Sequence, residues 1–415
     1  MRAATVSLVR APRRHHLLES MLLALAVAEG GVRLLSPREA PIEPARIDLH
    51  SYFTDDEIVR GARFARPQLA LAMTRAAIEI SALAAVVRRP PRWLTQRSTR
   101  PALGGAAAAA GLAVGLSLPA MPVRAVARKR GMAVGLVTQS WPGWAGDLLK
   151  SGAIEATLAA GAGAAAVAVT RRYPRWWWLP ASAGSVLFGG ALAALAPVVL
   201  DPVFNNFTPL PEGETRSDVL ELARAAGVKV GEVYSVDASR RTTAANAYVA
   251  GLGPTKRVVL FDTLLDRYGR DEVRVVVAHE LAHVRNRDVI RGVVYAALVA
   301  PAAALAVQRL SWQLSDERGS PGALPALALA AAVVGAPTGV IGNRLSRAIE
   351  RRSDAYSLTL TGAPEAFISF ERAIAVQNVA DLEPPRWLTS LLATHPPTAE
   401  RIGAAVTYSE GSSSS

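Results

Sequence analysis

His279, Glu280 and His283 stand in the pattern H-E-x-x-H, directly after the apolar run 275–278. On a helix, residues four apart share one face, so both imidazoles can reach a single cation with Glu280 beside them. Two such histidines on zinc, with the glutamate as general base, perform metal-assisted peptide hydrolysis. The competing reading is a surface helix that happens to carry two histidines. Only six histidines occur in 415 residues, so chance seldom builds this pentapeptide.

A catalytic zinc needs a third protein ligand and an open position for water. Cysteine is absent, so the site must rest on histidine and carboxylate. The best third ligand is Glu350, in Ile349-Glu350-Arg351-Arg352-Ser353-Asp354. Asp354 falls on the same helical face and can accept a hydrogen bond from a ligand histidine, fixing its orientation. Without the upstream motif, Glu350 and Asp354 would read as partners of Arg347, Arg351 and Arg352 on a solvated helix. His395, in Thr394-His395-Pro396-Pro397, is the remaining histidine on the catalytic side. It reads equally as an electrophile for the developing oxyanion and as a loop histidine fixed by two prolines. Asn246-Ala247-Tyr248 leads into a possible hairpin around Gly251-Leu252-Gly253-Pro254, and an edge strand beside a zinc site can pair with an extended peptide. Taken alone, an ordinary hairpin is the simpler reading.

The elements that must position these residues are set by hydropathy. The chain is 51% hydrophobic and its apolar residues gather in seven blocks, near residues 17–35, 69–87, 102–123, 153–169, 176–200, 289–307 and 324–341. Each is close to the roughly 20 residues that span a bilayer. The first is weakened by Glu19 and Glu29; the second carries Arg75 and Glu79, an i, i+4 pair able to neutralise itself or face the interior. Trp176-Trp177-Trp178 reads as an interfacial anchor. The basic start reads as part of an uncleaved first span.

These patterns predict a mainly α, polytopic membrane protein with a small α+β zincin-like domain at one membrane face. The expected divisions are an N-terminal membrane region (1–200), a catalytic segment with H-E-x-x-H (201–287), a two-span hairpin (288–343), a segment with the third ligand (344–405) and a disordered tail (406–415). Within 201–287, residues 216–226 read as a helix ended by Gly227, residues 233–236 and 257–261 as strands, residues 262–268 as a helix start and 271–287 as the motif helix. Two crossings separate His279 from Glu350, so both return to one membrane side. The net charge of +12 comes from arginines at the ends of apolar blocks, which suits anionic lipid head groups better than nucleic acid.

The ordered series of motifs resembles the CAAX prenyl protease type 1 family of integral-membrane zinc metallopeptidases. It runs through Asp201-Pro202-Val203-Phe204-Asn205-Asn206-Phe207-Thr208-Pro209-Leu210, Asp237-Ala238-Ser239-Arg240-Arg241, Asn246-Ala247-Tyr248, the H-E-x-x-H, Glu350-x-x-x-Asp354 and His395-Pro396-Pro397 with Glu400-Arg401. The resemblance implies one zinc per chain on His279, His283 and Glu350, with Glu280 activating water and Asp354 orienting a histidine. It implies Asn246 on substrate backbone, with His395 and Arg401 on the substrate or tetrahedral intermediate. It further implies seven spans enclosing a chamber, with the metal at the cytoplasmic end.

The expected function is a membrane-embedded zinc endopeptidase acting on peptides or membrane-associated proteins. A zinc-peptidase signalling receptor or quality-control protease is the alternative within the same chemistry, and a non-catalytic scaffold the alternative outside it. A receptor would carry a ligand-binding domain; a scaffold has no need of Glu280. Arg344, Arg347, Arg351 and Arg352 favour a cytoplasmic site, while the basic N-terminus and residues 88–100 pull the other way. The alanine- and arginine-rich composition looks bacterial.

Overall fold

The structure is a computed structural model that describes residues 14–39, 41–96, 99–251 and 256–412. It is mostly helical, with a single four-stranded sheet among the described residues. Among the described residues, six helices are long and apolar enough to cross a membrane: Asp55–Arg88, Pro101–Ala133, Trp141–Arg172, Trp178–Phe204, Asp288–Leu314 and Pro321–Thr361. Their outward faces carry exposed apolar side chains such as Leu187, Phe188, Leu195 and Leu298. Water would penalise that surface, and a bilayer removes the penalty. These are the second to seventh predicted spans.

The first predicted span is a 22-residue helix, Arg14–Leu35, that falls outside this set. Its charges account for the difference. Glu29 binds Arg33 at 2.7 Å and also pairs with Arg344. The helix packs on Asp288–Leu314 and on the last span, with Val32 against Leu345 and Ile349. It thus braces the helix that carries Glu350.

Close helix approach rests on small residues. Pro101–Ser117 crosses Trp141–Arg172 where Gly105 meets Gly163, and a Cβ on Gly163 would stand 2.5 Å from the Gly105 carbonyl oxygen. Any larger side chain there would force the two spans apart. Arg75 and Glu79 face each other at 3.1 Å, so the second block neutralises its own charges.

The polar segment folds as expected around a sheet of β1 (Phe207–Pro209), β2 (Glu232–Val236), β3 (Ala247–Ala250) and β4 (Arg257–Phe261), in the order β1-β2-β4-β3. β2 and β4 run parallel; β3 lies antiparallel to β4 with Ala247 opposite Leu260. The strand β1 has no counterpart in the expectations, being three residues long. The turn between β3 and β4 lies largely outside the described residues. Helix Glu214–Ala225 ends at Gly227, whose φ of 68° closes the left-handed cap that glycine adopts without strain.

The motif helix is Arg270–Arg285. Glu272 caps it by accepting the Gly269 N–H at 2.7 Å. Val273, Val277 and Leu281, spaced four apart, sink into the core between sheet and helices, together with Val233, Val258, Leu260 and Phe370. That anchored stripe leaves His279 and His283 on a different face. The predicted disordered tail is corrected in part: helix Thr398–Ser412 continues through it, with Tyr408 packed near Phe367 and the Thr407 hydroxyl donating to the Glu43 carbonyl. Residues 413–415 lie outside the described residues.

Candidate metal centre

The turn Asn286-Arg287 separates the motif helix from the next span. Arg287 is left-handed at φ 55°, so the chain turns sharply and Asp288 starts the span close to His283. The last span continues without interruption into the helix Leu324–Thr361, which brings Glu350, Asp354 and their neighbours beside the motif helix.

Three donor groups converge there. Nε2 of His279 lies 3.2 Å from Nε2 of His283 and 3.3 Å from Oε2 of Glu350, and His283 Nε2 is 3.7 Å from Glu350 Oε1. Four ligands placed tetrahedrally at zinc bond lengths stand about 3.3 Å apart. Glu350 Oε2 is buried and makes no hydrogen bond, although imidazole nitrogens surround it. A buried carboxylate oxygen without a donor is costly, and a cation between these three groups removes the cost. The residues therefore fit a divalent metal.

Each histidine is backed by a carboxylate. His279 Nδ1 lies 2.8 Å from Asp354 Oδ1, and His283 Nδ1 lies 3.0 Å from Asp288 Oδ2. A carboxylate at Nδ1 turns the Nε2 lone pair towards the metal position. Asp354 is held in turn by Arg401, whose Nε donates to Oδ2 at 2.8 Å, and Asp288 is held by Arg352. Burial opposes a charged His279, yet the adjacent carboxylates of Asp354 and Glu350 outweigh it and push the imidazole up to about 10. A positive charge belongs at this point, as a proton or as a metal.

Glu280 and His279 open onto a cleft of about 530 Å³, walled by Val275, Val276, Phe367, Phe370 and Ile374, and also touched by Asn246, His395 and Arg401. Burial raises the Glu280 carboxyl above its ordinary range, against the pull of both histidines. His395 is the exposed member, 64% open, with Nε2 at 3.5 Å from Glu350 Oε2 and Nδ1 beside the Thr394 hydroxyl. Asn246 is exposed just before β3; its Oδ1 accepts the Ala247 N–H.

Of the residues singled out in the sequence, His279, His283, Glu350, Asp354, His395 and Arg401 meet in one cluster, with Glu280 and Asn246 on the same cleft. Ala247 and Tyr248 do not line it. The Ala247 side chain is in the core, and the Tyr248 hydroxyl donates to Asp201 at 2.9 Å. What this part of β3 presents is backbone, since β3 is the edge strand. Arg401 spends Nε and Nη2 on Asp354 and sets Nη1 2.6 Å from Glu371. Sequence reasoning missed Asp288 and Glu371. Asp288 lies five residues past His283, off the helical period, and only the left-handed Arg287 brings it back. Glu371 sits in an apolar stripe with no motif around it.

The comparisons agree with this geometry. Residues 209–409 match the model of peptidase family M48. An uncharacterized metalloprotease, YhfN, of Bacillus subtilis is 33% identical over 241 residues, covering 56% of this chain and 57% of that protein. A CAAX prenyl protease 1 homolog of Oryza sativa is 28% identical, over 51% of this chain and 52% of its own length. CAAX prenyl protease 1 of Saccharomyces cerevisiae is 38% identical over 105 residues, a quarter of this chain. The chain thus spans about half, or less, of the length of these relatives. The fold matches the crystal structure of S. mikatae Ste24p with a TM-score of 0.72 at 18% identity, over 94% of this chain and 97% of that one. Residues 209–409 are thus similar to peptidase family M48, and the chain shares its fold with S. mikatae Ste24p.

Proposed function

We propose that the protein is a membrane-embedded zinc endopeptidase that cleaves peptides or membrane-associated proteins. The observation that carries this reading is the convergence of His279, His283 and Glu350, on either side of a two-span hairpin, beside a glutamate whose proton affinity is raised. Zinc held by these three residues would supply a Lewis acid and a water of lowered pKa.

The chain's own residues account for the rest. Asp354 and Asp288 hold the two imidazoles so that Nε2 stays deprotonated. The free edge of β3 can pair with an extended substrate, which lays its backbone past Glu280, and the Asn246 amide can donate to that backbone. The Glu280 carboxylate takes the proton as water oxygen bonds to the scissile carbonyl carbon. It returns that proton to the amide nitrogen as the C–N bond breaks. Its raised pKa suits both halves of the transfer. His395 Nε2, at the mouth of the cleft, donates to the carbonyl oxygen as negative charge builds there. Arg344, Arg347, Arg351 and Arg352 support a cytoplasmic face for the site, and the composition supports a bacterial cell membrane.

The test is Glu280→Gln in the purified full chain, assayed on unmodified peptides and on a prenylated CAAX peptide. The variant should retain zinc and lose activity by about 10²–10⁴-fold. Undiminished turnover would overturn the mechanism.

A further inference from the structure

Helix Pro364–Gln377 buries Pro364, Phe367, Phe370, Glu371 and Ala375. Glu371 therefore occupies an apolar stripe, four residues from both Phe367 and Ala375, and is only 2% exposed. An ionisable group there is destabilising unless something on the protein uses it. Its partner is Arg401 Nη1 at 2.6 Å. Arg401 is on helix Thr398–Ser412, and its remaining donors clasp Asp354 on the last span.

The result is a line of charges leading to the metal position: Glu371, Arg401, Asp354, His279. Asp354 Oδ1 is shared, since both Arg401 and the Nδ1 of His279 approach it. With Asp354 as its sole partner, the guanidinium would form a neutral pair and draw charge out of the oxygen that His279 needs. A second carboxylate on the far edge of Arg401 divides that pull and stops the long side chain from pivoting about Asp354. With Glu371 ionised, as at the alkaline pH of the test below, the group of three carries a net negative charge next to His279.

We infer that Glu371 is a positioning residue of this site, acting through Arg401 and Asp354 to keep His279 oriented and basic as a metal ligand. The inference rests on reading the cluster as a zinc site and deepens the proposed function. Glu371 also lines the wall of the cleft, but its ion-pair partner is Arg401 and not one of the three ligands, so in this role it is distinct from the residues that perform the proton transfer.

The experiment uses the full chain in detergent or nanodiscs at pH 8. Zinc affinity is titrated against a chelating dye for wild type, Glu371→Gln, Asp354→Asn and the double variant. Removing Glu371's charge should weaken zinc binding by about tenfold, the lower end for groups that support a ligand. The same change should add nothing once Asp354 is asparagine, because the line is already broken. On a quenched fluorescent peptide, kcat should fall with KM unchanged. Glu371→Met fills the apolar stripe and guards against a misfolded glutamine variant. It should keep or raise the melting temperature and still lose zinc affinity.

Unchanged zinc affinity in either Glu371 variant overturns the inference. So do losses that multiply in the double variant, or a KM change at constant kcat, which would place Glu371 on the substrate. The zinc titration needs no turnover. If wild type cleaves no peptide, the proposed function falls while Glu371 is still decided.

Discussion

His283 Nδ1 lies 3.0 Å from Asp288 Oδ2, across a turn whose left-handed Arg287 belongs to neither helix. The two motif histidines are thus steadied from different directions. His279 leans on the last span through Asp354, and His283 on the following span through Asp288. The metal position is clamped between both strokes of one transmembrane hairpin.

Both supports should matter for metal retention. Asp354→Asn and Asp288→Asn should each weaken zinc affinity by about 10–100-fold while leaving the ligands in place. Dye competition measures this, and unchanged affinity in either variant would show that the corresponding imidazole is held by packing alone.

Removing the proposed carboxylate ligand should be more severe. Glu350→Ala leaves two histidines, too few for a retained catalytic zinc. The purified variant should carry less than one zinc per chain after dialysis, as read by atomic emission. Full occupancy would return Glu350 to the role of a surface-helix acid.

Asp218 should be a stability residue. It is buried, and Arg270 Nε donates to it at 2.5 Å with Arg274 Nη1 at 3.2 Å, tying helix Glu214–Ala225 to the start of the motif helix. The hydrogen bond from Arg270 lowers its pKa despite burial. A lowered carboxylate pKa gives stability that is present above the ordinary value of 3.8 and lost as pH falls through the native one. Asp218→Asn should cost about 1.5–3 kcal/mol at pH 7. Its melting temperature should converge on wild type only at strongly acid pH, and equal melting temperatures at pH 7 would contradict the pairing.

Glu371 should produce the opposite pH signature. Burial pushes it up to about 7, while Arg401 pulls it down and Asp354 up. The native carboxyl then holds a proton that the unfolded chain releases near 4.5. Its contribution is complete below 4.5 and is lost as pH rises through about 7. The melting temperature of zinc-loaded wild type, measured relative to Glu371→Gln, should therefore fall between pH 5 and 8. Parallel curves would mean that Glu371 does not titrate in this window.

Much of this architecture was legible in the residues. Apolar length predicts the second to seventh spans because a bilayer imposes one length on every crossing. The H-E-x-x-H spacing places both imidazoles together because one helix carries them. Glu350 was reachable by counting crossings, and Asp354 by the helical period from Glu350. Asp288 was not legible, since its approach depends on one backbone dihedral at Arg287. Glu371 was hidden because its partner Arg401 is thirty residues on and belongs to another helix. The extent of helix Thr398–Ser412 was missed because a polar composition does not reveal that Tyr408 and Thr407 dock on other segments. Arg14–Leu35 shows the converse: its length suited a span, and its charges set it apart.

The placement of His279 and His283 before the hairpin, and Glu350 after it, has a consequence for biosynthesis. A ribosome releases the two histidines long before the glutamate, and the glutamate reaches them only once both intervening crossings are threaded through the lipid. A nascent chain stalled before that step holds two of the three donor groups. On the proposed reading, the donor set closes only after the hairpin is threaded.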